Sequence, residues 1–168
     1  MKRSALSILF CLLSAHAAFG QTKSPVEGVW KIVELIMPGK DPAEKASALT
    51  NLQPGLMIFT RGYYSTVLVM SEQSRAAVAP AKDPQNLTDV EKIARYEEWR
   101  PFSAASGAYE IKGSTIVRRV MVAKNVRVMA RETQTIWEFK LEGLSTLWLI
   151  PSGDLVTTEP RIKLTRLE

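Results

Sequence analysis

The amino-acid sequence predicts an all-β domain of seven or eight antiparallel strands with one helix. Most of residues 27–167 consists of short segments rich in β-branched and aromatic residues, a composition that is typical of strands. Glycine follows a charged residue between several of these segments, at Gly62, Gly113 and Gly143, and indicates tight turns. Short, evenly spaced strands that meander in this way are typical of an up-and-down barrel or of a β-sandwich.

The first strands lie on both sides of a loop that contains proline, glycine and alanine. The predicted strands are Glu27–Met37, Leu56–Thr60 and Tyr63–Met70, and the loop is 38–54. The second and third strands form a predicted hairpin, because Gly62 supplies the positive φ that a tight turn needs. The polar segment 71–85, rich in alanine and proline, is predicted to be a second loop.

One helix is predicted after this loop. Thr88 and Glu91 have the spacing of a capping box, in which the threonine hydroxyl accepts a hydrogen bond from the amide of Glu91. Val90 and Ile93 continue at helical spacing, and Pro101 ends the helix. Strand signals then resume, in segments 107–111, 114–122, 131–141, 144–150 and 160–167.

The leading residues 1–20 have the pattern of a secretory signal peptide. Lys2 and Arg3 precede a nearly continuous apolar stretch over 5–18, and Ala18-Phe19-Gly20 offers the small residues of a cleavage site. A membrane-spanning helix needs about 20 apolar residues, so this stretch is too short to be one. We expect cleavage before Gln21, a mature domain of residues 21–168, and a periplasmic or secreted location.

The mature chain would lack the side chains on which many catalytic centres depend. Cys11 and His16 are the only cysteine and histidine, and both lie in the predicted signal peptide. A Ser-His-Asp or Cys-His centre, a Cys/His zinc site, histidine-ligated haem and a disulfide are therefore excluded. The sequence also shows no phosphate-binding loop and no Asp/Glu cluster with metal-ligand spacing, so no cofactor is expected.

Charge gives no sign of a nucleic-acid partner. The 168 residues include 22 basic and 17 acidic side chains, a net charge of +5. Loss of Lys2 and Arg3 with the signal peptide would leave 20 against 17, or +3. The basic residues are interleaved with acidic ones, and a nucleic-acid footprint would instead cluster them on one face.

Several short motifs occur in the same order as in a known family. The chain opens with Gly28-Val29-Trp30, and the later motifs are Pro54-Gly55, Phe59-Thr60, Gly62-Tyr63, Ser106-Gly107-Ala108-Tyr109-Glu110 and Leu141-Glu142-Gly143-Leu144. This order resembles the bacterial lipocalin-like domain family, whose members have a calycin-type β-barrel. Arg118-Arg119 is a departure, since family members often carry histidines on that strand.

The resemblance implies an up-and-down antiparallel lipocalin-like β-barrel of about eight strands with one helix. It implies that Gly28 and Trp30 form the signature at the closed barrel end. It also implies that an arginine near the last strand packs on the indole, with Arg166 the candidate and Arg161 a weaker one.

Strand alternation then suggests which side chains face the barrel interior. If Trp30 points inward, Glu34 and Ile36 share its face. One of Arg118 and Arg119 also points inward, and Arg118 is favoured because Val120 and Val122 would then accompany it. With Trp137, the candidate ligand-binding residues are Glu34, Ile36, Arg118, Val120 and Trp137. The alternative places Glu34 above the barrel rim and both arginines in solvent.

Three functions are compatible with these observations, and we place them in this order. The first is an exported protein that binds a small hydrophobic or amphipathic molecule, such as a fatty acid, in the barrel. The second is a barrel filled by side chains that acts as an interaction module through loops 38–54 or 71–85. The third is an isomerase, cyclase or hydratase that uses Glu34, a tyrosine or an arginine.

Overall fold

The structure, a computed structural model, describes residues 24–39, 44–130 and 134–168. The predicted signal peptide lies outside the described residues. So do 131–133, the first part of the predicted strand 131–141.

Eight strands close into an antiparallel barrel, and a ninth, short strand adds to it. The strands are β1 Gly28–Met37, β2 Ser47–Leu49, β3 Leu56–Phe59, β4 Tyr63–Val69, β5 Phe102–Lys112, β6 Thr115–Ala123, β7 Thr135–Glu142, β8 Thr146–Pro151 and β9 Arg161–Arg166. From β3 to β9 each strand pairs with the next, and β1 pairs with both β3 and β9. β2 pairs with the second half of β1, beside β3. The predicted up-and-down barrel of about eight strands is confirmed.

The predicted helix is present, and its capping box is formed. Helix α1 spans Asp89–Trp99. The Glu91 amide donates to the Thr88 hydroxyl at 3.3 Å, and the Thr88 amide donates to the Glu91 carboxylate at 2.8 Å. Three short elements were not predicted: β2, helix α2 at Val126–Met129 and a 3₁₀ turn at Gly153–Thr157. Elements of three to five residues are too short to show a hydrophobic period.

A β-bulge in β1 changes which side chains face the interior. Ile32 lies opposite Leu164 but Glu34 lies opposite Lys163, so Val33 is an extra residue in β1. Leu35 is consequently fully buried, whereas Glu34 lies on the outer face. Its carboxylate is 3.9 Å from the ammonium of Lys163.

The expectation that Glu34 and Ile36 share the inward face of Trp30 is therefore wrong. Ile36 lies opposite the exposed Arg161, on the outer side of the same ladder. Alternation holds only along a regular strand, and one inserted residue moves every later side chain to the other face.

The two ends of the barrel differ in their connections. At one end, called the closed end below, short turns of two or three residues join β3 to β4, β5 to β6 and β7 to β8. At the other, called the open end, the connections are long and carry α1, α2 and the 3₁₀ turn. The fully buried side chains gather toward the closed end, among them Trp30, Phe59, Ile116, Leu147 and Leu164.

Candidate functional site

Arg166 closes one end of the barrel over Trp30. Its guanidinium carbon lies 4.0 Å from the centroid of the indole ring. Its nitrogens donate to the backbone carbonyls of Leu144 at 2.8 Å, Glu27 at 2.7 Å and Pro25 at 2.8 Å. A planar guanidinium suits this task, because its donors form a fixed fork while its face lies on a ring. Arg166 therefore joins the N-terminal segment, the β7–β8 turn and β9, in the position that the resemblance implies.

Gly28 sits where no side chain fits. Its φ is +139°, and a Cβ built on it would lie 2.3 Å from the carbonyl oxygen of Glu168 and 2.7 Å from a guanidinium nitrogen of Arg166. The glycine of the motif thus lets β9 and the residues after it pass close to β1.

A cavity of about 580 Å³ occupies the open half of the barrel. This volume lies within the usual range of small-molecule sites, which is about 300–1,000 Å³. Its walls are mainly apolar or aromatic and come from six strands, through Leu35, Met57, Tyr64, Leu68, Val120, Trp137 and Ile162. The cavity exists because long connections, rather than packed side chains, cover this end.

Arg118 projects into the cavity from β6, and Arg119 faces outward and is exposed. The Arg118 guanidinium carbon lies 4.2 Å from the ring centroid of Trp137 and 5.2 Å from that of Tyr64. Burial lowers the pKa of Arg118, and charge interactions with Tyr64 and Glu159 offset this in part. Burial also raises the pKa of the Tyr64 phenol, an effect that the Arg118 charge opposes.

Four buried polar atoms in the cavity wall have no hydrogen-bond partner among the described residues. They are Thr66 Oγ1, Arg118 Nε, Thr135 Oγ1 and Trp137 Nε1. All four atoms can donate a hydrogen bond, and the two nitrogens, Arg118 Nε and Trp137 Nε1, cannot accept one. Burial of a polar group without a partner costs about 1–3 kcal/mol. An acceptor with several lone pairs, bound against this wall, would meet donors that are not used within the described part of the protein.

The mouth of the cavity is polar and carries the end of helix α1. Tyr96 and Arg100 of the helix line it, together with Lys124 and Asn125 after β6. The Lys124 ammonium donates to the backbone carbonyls of Trp99, Arg100 and Phe102. Lys124 thereby holds the C-terminal end of α1 against the barrel rim.

Of the five ligand-binding residues predicted from the sequence, three line the cavity and two lie on the outer face of the barrel. Arg118, Val120 and Trp137 lie together in the cavity wall. Glu34 and Ile36 lie outside it, for the reason given above. Val122 also faces outward, because a second irregularity, where Ser106 lies opposite Val122 and Gly107 opposite Val120, changes the register of β6.

Sequence reasoning did not include three hydroxyl-bearing residues of the cavity wall among its candidates: Tyr64, Thr66 and Thr135. Tyr64, Thr66 and Leu68 alternate along the regular strand β4, so the parity argument used for β1 would have found the first two. Thr135 is the first residue of β7, and no local pattern marks it.

The described residues contain neither a metal-binding cluster nor a membrane-spanning helix. Within 24–39, 44–130 and 134–168, no three His, Cys, Asp or Glu side chains are grouped as a metal site would require. None of the helices in those ranges has the length and apolar character needed to cross a bilayer.

Comparisons with known proteins give two distant likenesses. The sequence profile of a family described as Domain of unknown function (DUF1871) matches residues 91–148, about a third of the chain. That share is too small to assign the chain to that family. A crystal structure of a lipocalin-like protein from Bacteroides uniformis ATCC 8492 is similar with a TM-score of 0.45 and 11% identity. The likeness covers 86% of this chain and 100% of that one, and it adds nothing to what the strand pairing shows. No curated protein matches the sequence.

Proposed function

We propose that the barrel binds a small amphipathic molecule with an anionic head group, of which a long-chain carboxylate is the type. The observation that carries this proposal is the set of four buried donor atoms around the cavity. A carboxylate accepts several hydrogen bonds and pairs with a guanidinium. It would therefore accept hydrogen bonds from donors that otherwise need water as their acceptor. The apolar walls suit a hydrocarbon chain that runs from this head group toward the mouth.

The cavity volume also supports this proposal over the alternative of a filled barrel. A barrel packed with side chains would leave no space of about 580 Å³ beside Arg118. The enzyme alternative is less well supported, because Glu34 lies on the outer face and burial moves the pKa of the Tyr64 phenol further from neutrality.

Fatty-acid binding tests the role of Arg118. Arg118→Met removes the charge at similar length, so the affinity for palmitate should fall about ten- to hundred-fold, the range for a charge-assisted hydrogen bond. Affinity for methyl palmitate, which has no carboxylate, should stay as in the wild type. Arg119→Met is the matched control, since the neighbouring Arg119 is exposed on the outer face.

Titration calorimetry and ligand-dependent tryptophan fluorescence would measure these affinities, with circular dichroism to verify the fold of each variant. Equal palmitate affinity in wild type and Arg118→Met would contradict the anionic head group at Arg118. Absence of binding to both palmitate and methyl palmitate would contradict the proposal that the barrel binds an amphipathic molecule. Native mass spectrometry of the purified protein, before and after organic extraction, would then identify any natural ligand.

We propose further that the protein acts in the periplasm or outside the cell. The support is the signal-peptide pattern of residues 1–20. Mass spectrometry of protein recovered from the periplasm and medium should show a chain that begins at Gln21. Recovery of the uncleaved chain in the cytoplasm alone would contradict export.

A further inference from the structure

One segment forms a wall of the cavity mouth and also an exposed apolar surface. Val120, Ala123, Lys124, Asn125 and Val128 line the cavity. The residues between them face solvent: Met121 is 63% exposed, Val122 58%, Val126 71% and Met129 42%. We call the exposed group the lip, defined as Met121, Val122, Val126, Arg127 and Met129.

Two local features expose the lip: the irregularity in β6 and the short helix α2. The irregularity between Val120 and Val122 leaves Met121 and Val122 both on the outer side of β6. Asn125 caps helix α2 by accepting a hydrogen bond from the Arg127 amide at 3.0 Å, and the short helix presents Val126 and Met129 outward. The chain thus holds four apolar side chains in water at the edge of the mouth.

The charged residues of the segment that carries the lip are all basic. The sequence from Ser114 to Ala130 contains Arg118, Arg119, Lys124 and Arg127 and no acidic residue. Arg118 faces the cavity and Lys124 binds backbone carbonyls, whereas Arg119 and Arg127 are exposed. The partner that fits this surface is apolar beneath an anionic layer, because it must cover the apolar side chains and meet the cations.

We propose that the lip docks the barrel mouth onto an anionic phospholipid bilayer. In such an interface apolar side chains enter the boundary between head groups and acyl chains, and Lys and Arg meet the phosphates. Helix α1 adds exposed apolar side chains near the same end, Ile93 at 63% and Trp99 at 54%. Docked this way, the cavity opens toward the bilayer, and an amphipathic ligand exchanges there; the exchange, unlike the docking, rests on the proposed function.

Vesicle flotation tests the docking, with the full chain and vesicles of phosphatidylglycerol and phosphatidylcholine against phosphatidylcholine alone. Val126→Asp should lower binding to the anionic vesicles about ten-fold, since it removes an inserted side chain. Leu144→Asp is the matched control, because Leu144 is 88% exposed in the β7–β8 turn at the closed end. The apolar stretch within residues 1–20 is the same in every variant, so its contribution to vesicle binding is the same in all of them.

A second pair of variants tests the charge. Arg127→Gln should lower binding about five-fold in low salt, and less in high salt, as expected for one cation near an anionic surface. Arg61→Gln, at the exposed β3–β4 turn of the closed end, should leave binding unchanged.

The outcomes separate docking from ligand binding. Equal losses for Val126→Asp and Leu144→Asp, or equal binding to both kinds of vesicle, would overturn the docking. Sedimentation that shows the wild type dimeric and Val126→Asp monomeric, without vesicle binding, would make the lip a contact between two copies and overturn it also. Palmitate binding in vesicle-free solution is the independent readout: Val126→Asp should retain it, and its absence in the wild type contradicts only the proposed function.

Discussion

Arg118 and Arg166 both lie on aromatic rings, but their hydrogen bonding differs. Arg166 donates to four backbone carbonyls and stacks on Trp30, so its donors are used within the protein. Arg118 stacks on Trp137, and its Nε has no partner among the described residues. A buried cation costs free energy unless it is paired, and a ring face supplies only part of the compensation. The donors of the first arginine are used within the fold, whereas the second keeps an unused donor at the wall of the cavity, as the proposed function requires.

Substitution of Arg166 by lysine should destabilise the protein by about 2–3 kcal/mol. An ammonium retains the charge but has only three N–H donors, so it cannot bind all four carbonyls while also covering the ring. Each lost charged hydrogen bond costs about 1.5–3 kcal/mol before other groups adjust. Urea denaturation measures the change in the free energy of unfolding.

The control for that experiment is Arg161→Lys. Arg161 also lies over a ring, 5.7 Å from the centroid of Trp148, but on the exposed face of β9. Its substitution should change the free energy of unfolding by less than about 0.5 kcal/mol, as for most surface positions. Equal effects of the two substitutions would contradict the structural role of Arg166.

Residue positions could be predicted from the sequence wherever the strand is regular. The apolar neighbours of Arg118 predicted its inward side chain, and Trp137 followed from the same reasoning. Glu34 could not be placed, because the extra residue Val33 results from pairing with β9, which lies about 130 residues away in the chain. Long-range pairing of this kind leaves no signal in the local sequence.

Helix α1 is held mainly by its two ends. The capping box fixes its start, and Lys124 binds the carbonyls at its end. None of its side chains is buried, so its packing contributes little to the free energy of unfolding. The sequence predicted the helix from its capping box, which is local, and could not show the Lys124 contact, which joins residues 22 to 25 positions apart.

Replacing Lys124 by methionine should loosen the last turn of α1. Amide hydrogen exchange over residues 96–100 should speed up about ten-fold, since three backbone carbonyls lose their donor. The global free energy of unfolding should change by less than about 1 kcal/mol, because α1 buries no side chain. Lys140→Met, on the outer face of β7, is the control and should leave the exchange of α1 unchanged. Exchange that stays slow in Lys124→Met would mean that other contacts hold the helix.

Turns and the long helix were predictable because their signals are local. The glycines at 62, 113 and 143 all have positive φ, as the hairpin turns require. The start of β5 was placed five residues too late, since the small residues from Ser103 to Ala105 carry weak strand preference and extend the strand only through pairing with β4.

On the scale of the whole molecule, the barrel is divided along its axis into a packed half and a hollow half. Tyr64 lines the cavity, and Tyr109 contacts Phe59 in the packed core, with ring centroids 5.2 Å apart. Burial raises the pKa of both phenols above the ordinary value of 10.0. The cavity wall and the packed core therefore each hold a neutral tyrosine that resists ionisation.

Stability should consequently decrease as the pH rises above about 10. In that range the unfolded chain loses its phenolic protons before the folded protein does, so deprotonation favours the unfolded state. The contribution of the two neutral phenols to the free energy of unfolding is intact below pH 10 and is lost as the pH approaches their raised pKa values. Urea midpoints between pH 8 and 11 measure the decrease. Tyr64→Phe should make it smaller, and Tyr63→Phe, at an exposed neighbouring position, should not. A constant midpoint up to pH 11 would contradict the effect of burial.

The pairing of β1 with β9 also sets the order in which the molecule can be completed. Because β9 follows the other strands in the chain, β1 keeps an unpaired edge until β9 has been made. The meander from β3 to β8 can form earlier, but as an open sheet without an enclosed cavity. The barrel therefore cannot close around its cavity before β9 is available, and any machinery that meets the growing polypeptide before then meets an open sheet.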